Sequence, residues 1–167
     1  MDEQDTSAEE LISGRLAECA FVEKSHLFKG LQRNDLDHLY RVGRLRRFEA
    51  GEFILHEGDE GSELFLIESG KVKVVTQSAS GVVELSQLSR GAFFGEVGLL
   101  TGKPRTATVM AMNDVLTICF QKDDLEPILL KYPRVRKLMQ TMMNARAKAA
   151  IEKKNRPGEQ GPSRSGG

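Results

Sequence analysis

The hydrophobic period of this chain changes twice along its length, and that change limits its possible folds more than any other feature. From Gly43 to Gln121 apolar and polar residues alternate in short runs, "LRRFEAGEFILHEGDEG", "ELFLIESGKVKVVTQ", "VVELSQLSRGAFFG" and "ATVMAMNDVLTICF", separated by glycine-bearing turns. A period of two places successive side chains on opposite faces, so the runs read as strands, and turns this close together join antiparallel neighbours. In "SGKVKVV" Lys71 and Lys73 alternate with Val72 and Val74, which wets one face and gives the other to a core. Glycines at Gly51, Gly58, Gly61, Gly70, Gly81 and Gly91 punctuate the runs at the spacing of a sandwich, jelly roll or small barrel.

On both sides of this segment the period is helical. Leu11, Ile12, Leu16, Ala20 and Phe21 recur at helical spacing from Ser7 to about Lys24, behind "SAEE" as a capping box, and "QRNDLDHLYRVG" predicts a second short helix with Asn34 or Asp35 as cap and Gly43 as stop. Beyond Gln121, "KDDLEPILLKYP" predicts a helix ended near Pro133. "RVRKLMQTMMNARAKAAIEKKN" predicts a longer one, with Val135, Leu138, Met139, Met142 and Arg146 on one face. "RPGEQGPSRSGG" has the composition of a flexible tail. The expected fold is α+β, mainly β. It comprises an N-terminal helical segment (1–43), an antiparallel, jelly-roll-like β-roll (44–121), two C-terminal helices (122–155) and a tail (156–167).

Charge narrows the partners. The 24 Lys and Arg residues balance 24 Asp and Glu residues, which disfavours a non-specific nucleic-acid binder. An acidic start and a basic end read as two solvated helix faces. Cys19 and Cys119 stand far apart without metal-ligand spacing, so neither a disulfide framework nor a metal site is expected. His26, His38 and His56 are isolated and read as ordinary histidines. With no apolar signal core and no run long enough to cross a bilayer, a cytoplasmic chain without direct membrane insertion is the expectation.

One stretch asks for a ligand. "FFGEVGLLTGKPRTATV", residues 93–109, sets a glycine before an acid, then an apolar half-turn, a bend, and an arginine feeding a β-branched strand. Glycines let the backbone approach a ligand closely, and the turn "EVGLL" leaves amides free to meet an anion. Arg105 stands behind Pro104, which fixes the local backbone, and its planar fork can grip two phosphate oxygens, while Glu96 is suited to accept from a sugar hydroxyl. Acid for ribose and arginine for phosphate spell a nucleotide. Taken singly, a Pro-Arg pair reads as a surface turn and Glu96 as an acid favoured at a helix start; their order within a β context favours the joint reading.

The same residues resemble the phosphate-binding cassette of cyclic nucleotide-binding domains: Phe-Gly-Glu, a short hydrophobic helix, a variable bend, Pro-Arg and Ala-Thr-Val. "FEAGEFILHEGDEGSELFLIESGKVKV" resembles the first strands of that family's roll, and roughly residues 25 to 150 are covered. The resemblance implies that Arg105 pairs with the exocyclic phosphate oxygens and Glu96 accepts from the ribose 2′-hydroxyl. Gly95 and the backbone of Val97 would close on the ribose, and Thr106 and Ala107 would offer backbone amides to the phosphate. With cyclic GMP as ligand, the Thr106 hydroxyl would lie near the guanine edge. Val74, Ser86 and Leu88 would flank the base, and Met142 or Arg146 would reach it from a last helix that swings over the pocket. The implied ligand is cyclic AMP, with cyclic GMP second, and no cofactor, metal or catalytic residue is implied.

Three rivals are weighed against this. A cupin-like enzyme lacks its histidine pairs here, and neither a Walker loop nor a nucleophile elbow is present. A transcription factor of the catabolite-activator type needs a helix-turn-helix where only a tail is expected after Asn155. A tandem regulatory subunit needs an internal repeat, and none is visible. The expectation is a single non-enzymatic sensor module that moves its C-terminal helix, acting on an effector protein or a homodimer through the terminal helices. It resembles the cytosolic domains of bacterial cyclic-nucleotide-regulated channels and free-standing bacterial sensors; a degenerate scaffold that no longer binds is the alternative.

Overall fold

A computed structural model describes residues 20–155, so most of the expected helix from Ser7, with its capping box, and the expected tail lie outside the described residues. Residues 20–24 are helical. Then follow α1 (Arg33–Val42), β1 (Arg44–Phe48), β2 (Phe53–Leu55), β3 (Leu64–Ser69), β4 (Val72–Ser78), β5 (Gly81–Leu88) and β6 (Phe93–Phe94). The chain continues through α2 (Glu96–Thr101), β7 (Thr108–Ala111), β8 (Val115–Phe120), α3 (Lys122–Lys131) and α4 (Pro133–Lys154).

The strands form two antiparallel sheets of four, in the orders β1-β8-β3-β6 and β2-β7-β4-β5, rolled against each other. Two cores result. Phe48, Phe65, Ile67, Val72, Phe94, Val109, Val115 and Cys119 fill the interior of the roll. Phe28, Leu36, Leu39, Leu64, Leu66, Phe93, Phe120, Leu125, Ile128, Val135 and Met139 fill the space between the first sheet and the helices.

Strand β3, in the middle of the first sheet, is thus covered on both faces, which explains why "LFLI" shows no alternation of polarity. Leu64 and Leu66 face the helices while Phe65 and Ile67 face the interior, all at 1% exposure or less. In β4, by contrast, Val72 is buried while Lys71 just before it is exposed. The predicted face of the last helix is the one that packs: Val135 and Met139 are fully buried, and Leu138 and Met142 lie against the same core.

One boundary differs from the sequence expectation. Helix α1 starts after Gln32, not at Asn34 or Asp35, because Tyr132 reaches across to it. The Tyr132 hydroxyl accepts from the Gln32 amide at 3.0 Å and donates to the Asp35 carboxylate. Asp35 is spent on that tertiary contact, and on Lys131 at 2.8 Å, rather than on a local cap. Gly43 does end α1, for reasons of space: a Cβ there would lie 3.0 Å from both Ile118 and Phe120.

Candidate functional site

The segment from β6 to β7 forms a compact loop against the strand turn at residues 58–63. Gly95 caps α2 in the left-handed conformation, with φ of 95°, and its carbonyl is turned toward Arg105. Glu96 and Val97 open α2; Glu96 is buried and Val97 half-buried. Pro104 then turns the chain so that Arg105 runs back beneath α2. Its backbone is tied on both sides to the facing turn, its amide donating to the Asp59 carbonyl and its carbonyl accepting from the Gly58 amide, each at 2.8 Å.

The Arg105 side chain is 4% exposed and lies in a slot walled by glycines. A Cβ on Gly61 would stand 2.8 Å from Nη2, a Cβ on Gly95 3.2 Å from Nη1, and a Cβ on Gly98 3.1 Å from Nη1 and in collision with the Gly61 carbonyl. Nη1 donates to the carbonyls of Glu63 at 3.3 Å and Gly95 at 3.2 Å, and Nη2 to the Glu63 carboxylate at 3.3 Å. Burial pushes the guanidinium's pKa down, and Glu63 is the largest influence opposing that shift, ahead of Cys119 and Glu96. A buried arginine stays charged, so this is a fixed positive centre.

Helix α4 closes the other side. Arg146 donates from Nη1 to Glu96 Oε1 at 2.8 Å and lies over the Phe93 ring at 5.3 Å. The Glu96 side chain is 4% exposed, so this carboxylate meets a cation out of water. Of the two expected arm residues, Met142 packs into the helical core and Arg146 reaches the loop. Seven residues on, Lys153 donates from Nζ to the carbonyls of Leu85 at 2.8 Å and Glu84 at 3.3 Å. Leu85 is the residue skipped where the β4–β5 register slips, Val74 pairing with Ser86 but Val75 with Glu84.

The remaining expected site residues lie on the second sheet. Val74 and Ser86 are cross-strand partners, both half-buried, and Leu88 faces Val72; Val74 and Leu88 pack on the interior core. Thr106 is exposed and Ala107 half-buried, and they lead into β7, which pairs with β4 through Thr108 to Val75 and Val109 to Val74. The structure therefore gathers Gly95, Glu96, Val97, Arg105 and Arg146 in one loop-and-helix junction, and joins Val74 and Ser86 to it through the β7–β4 ladder. Sequence reasoning missed Glu63, Gly61 and Lys153. "GDEGSEL" carried a signal for the first two, since Gly61 and Glu63 sit in a turn too rich in glycine and acid for connection alone.

Away from this junction there is a cleft of about 600 Å³ beside Phe21, Lys24, His26 and Arg90, and a smaller one of about 230 Å³ lies along the β7–β4 ladder beside Val75, Thr108, His56 and Glu57. Among the described residues no three His, Cys, Asp or Glu side chains stand together as ligands for a metal ion, and no helix is long and apolar enough to cross a membrane.

The family model described as cyclic nucleotide-binding domain matches residues 45–132. Over 125 residues the chain is 31% identical to the human cyclic nucleotide-gated channel alpha-3, a match covering 71% of this chain and 18% of the channel. The chicken cyclic nucleotide-gated channel cone photoreceptor subunit alpha is 33% identical over 125 residues, with 71% and 17% covered. The chain thus spans less than a fifth of these channels. Among solved structures, a mutant regulatory subunit of a cAMP-independent protein kinase A from Trypanosoma brucei, bound to cAMP, superposes with a TM-score of 0.69 at 26% identity, covering 77% of this chain and 47% of that one. The catabolite activator protein of Thermus thermophilus superposes with a TM-score of 0.65 at 28% identity, covering 75% and 59%.

Proposed function

This chain belongs to the cyclic nucleotide-binding domain family, and on that premise we propose that it is a sensor module that binds cyclic AMP between the 93–109 loop and helix α4, without catalysing any change in it. The carrying observation is the buried Arg105 guanidinium, fixed by its own loop and by the facing turn, with the acid Glu96 nine residues earlier in the same loop. In this reading Arg105 takes the exocyclic phosphate oxygens, with the amides of Thr106 and Ala107 beside it. Glu96 takes the ribose 2′-hydroxyl, flanked by Gly95 and Val97. Val74, Ser86 and Leu88 flank the base from β4 and β5.

The transmission step follows from a shared group. Glu96 already holds Arg146 of α4 at 2.8 Å, so a ribose hydroxyl arriving at that carboxylate alters the contact that fastens the helix. Binding at the loop is thereby felt along α4, and the output passes to an effector protein, or to a second copy, through that helix. The names of the relatives support this reading: channels gated by cyclic nucleotides, and a mutant regulatory subunit of a cAMP-independent kinase that was bound to cAMP.

Calorimetric titration with cyclic AMP and with cyclic GMP, using Arg105→Ala as control, tests the proposal. Micromolar or tighter binding that weakens at least about tenfold in Arg105→Ala is expected, since a charge-assisted interaction contributes roughly 1.5–3 kcal/mol. Absence of heat and of any thermal shift with both nucleotides overturns it.

A further inference from the structure

We propose that Glu63 is the resident counter-ion of Arg105 and the residue that sets nucleotide affinity, holding it below what the arginine alone would give. The inference rests on the binding reading above and adds a residue to it.

The contacts of Arg105 divide into two kinds. Its orientation comes from backbone: Nη1 is held by the carbonyls of Glu63 and Gly95, and the main chain of Arg105 is bonded on both sides to the turn carrying Gly58 and Asp59. None of these bonds needs the Glu63 side chain. Its charge is balanced from the side chain, through Nη2 to Glu63 Oε1 at 3.3 Å. That distance is long for an ion pair, which at full strength closes to about 2.7–2.9 Å. The Glu63 side chain is 32% exposed, against 4% for the arginine, so it faces water and can swing out. The other nearby acid is engaged elsewhere, since Glu96 has Arg146 at 2.8 Å.

Two acids and two bases therefore stand at the junction in equal number before a ligand arrives. A cyclic phosphate brings a third negative charge. It meets Arg105 already neutralised, and either displaces Glu63 from Nη2 or binds beside it against like-charge repulsion. Glu96 cannot give way at comparable cost, because it is buried. Glu63 is the group whose removal favours the bound state, while in the empty state its removal leaves a buried guanidinium with less compensation.

The two states thus respond with opposite sign, which no merely structural role produces. Calorimetry and thermal unfolding of wild type, Glu63→Gln and Glu63→Ala with cyclic AMP make the test. Both variants are expected to melt below wild type without nucleotide, to bind roughly fivefold tighter, and to show a larger ligand-induced rise in Tm. If wild type binds and Glu63→Gln binds equally or more weakly, Glu63 is not a competing counter-ion. Weaker binding by Glu63→Ala with unchanged binding by Glu63→Gln makes it a positioning residue and equally overturns the inference. A wild type that does not bind fails earlier, at the proposed function, and takes this inference with it.

Discussion

Gly61→Ala is the smallest change that tests how Arg105 is held. Gly61 does not have a positive φ, so alanine is admissible to its backbone, and the effect is one of space alone. The new Cβ would lie 2.8 Å from Nη2, 2.9 Å from Nε and 3.1 Å from Cζ, about 0.6 Å short of ordinary van der Waals contact at the closest atom. The guanidinium must yield, and its bonds to Glu63 and Gly95, already 3.2–3.3 Å long, do not survive such a shift. Loss of one charge-assisted interaction with the phosphate raises Kd for cyclic AMP roughly ten- to hundredfold. Overpacking costs about 1–3 kcal/mol of stability, near 2–4 °C of Tm for each kcal/mol. Gly51→Ala is the matched control. Gly51 has a φ of 88°, with nothing within 4 Å of its missing Cβ, so alanine there strains the backbone without meeting Arg105. It should lower Tm by several degrees and leave Kd unchanged. Titration and thermal unfolding of both variants decide the matter: wild-type affinity in Gly61→Ala refutes the glycine-walled slot as the device that fixes the arginine.

Two further outcomes are expected. Arg146→Ala strands the buried Glu96 carboxylate and unfastens α4; a loss of about 1–3 kcal/mol is expected, after discount for the partial exposure of Arg146, with faster hydrogen exchange over residues 140–154, and unchanged exchange there contradicts the fastening. The Asp35 carboxyl is held below the usual range, first by its hydrogen bond to Lys131 and then by that from Tyr132. A lowered folded-state pKa contributes stability that is present above the ordinary carboxylate range and lost as pH falls through the folded value. Tm should therefore drop more steeply below about pH 4 in wild type than in Asp35→Asn, and parallel curves would contradict it.

How much of this was legible depended on whether one element or two wrote the signal. Period-two runs gave the strands and period 3.6 the helices, because each half-buried element records its own burial; α1, with Leu36 and Leu39 buried on one face, is a clear instance. β3 records two burials at once and so reads as an undivided apolar run, which tells of a strand without telling which sheet faces which core. The loop at 93–109 was readable because its glycines, acid and arginine lie within seventeen residues. The Glu63 contact to Arg105 spans 42 positions and that of Arg146 to Glu96 spans 50, and no local pattern encodes a partner at such a distance. The start of α1 shifted for the same reason: Asp35, a good local cap, was claimed by Lys131 and Tyr132 from the far end of the chain.

The slip between β4 and β5 has a mechanical meaning. Leu85, the residue skipped at that slip, offers its carbonyl to Lys153, and the same helix is held seven residues earlier, about two turns or roughly 10 Å along its axis, by Arg146. Beyond the core contacts of Val135 and Met139, helix α4 is therefore a beam with two further pins on two different supports, the loop bearing Arg105 at one and the β4–β5 hairpin at the other. A beam with a single pin pivots freely and reports nothing of its far end. With two pins, any relative motion of loop and hairpin becomes a torque on the helix, so the module responds to the distance between its supports rather than to the position of either one.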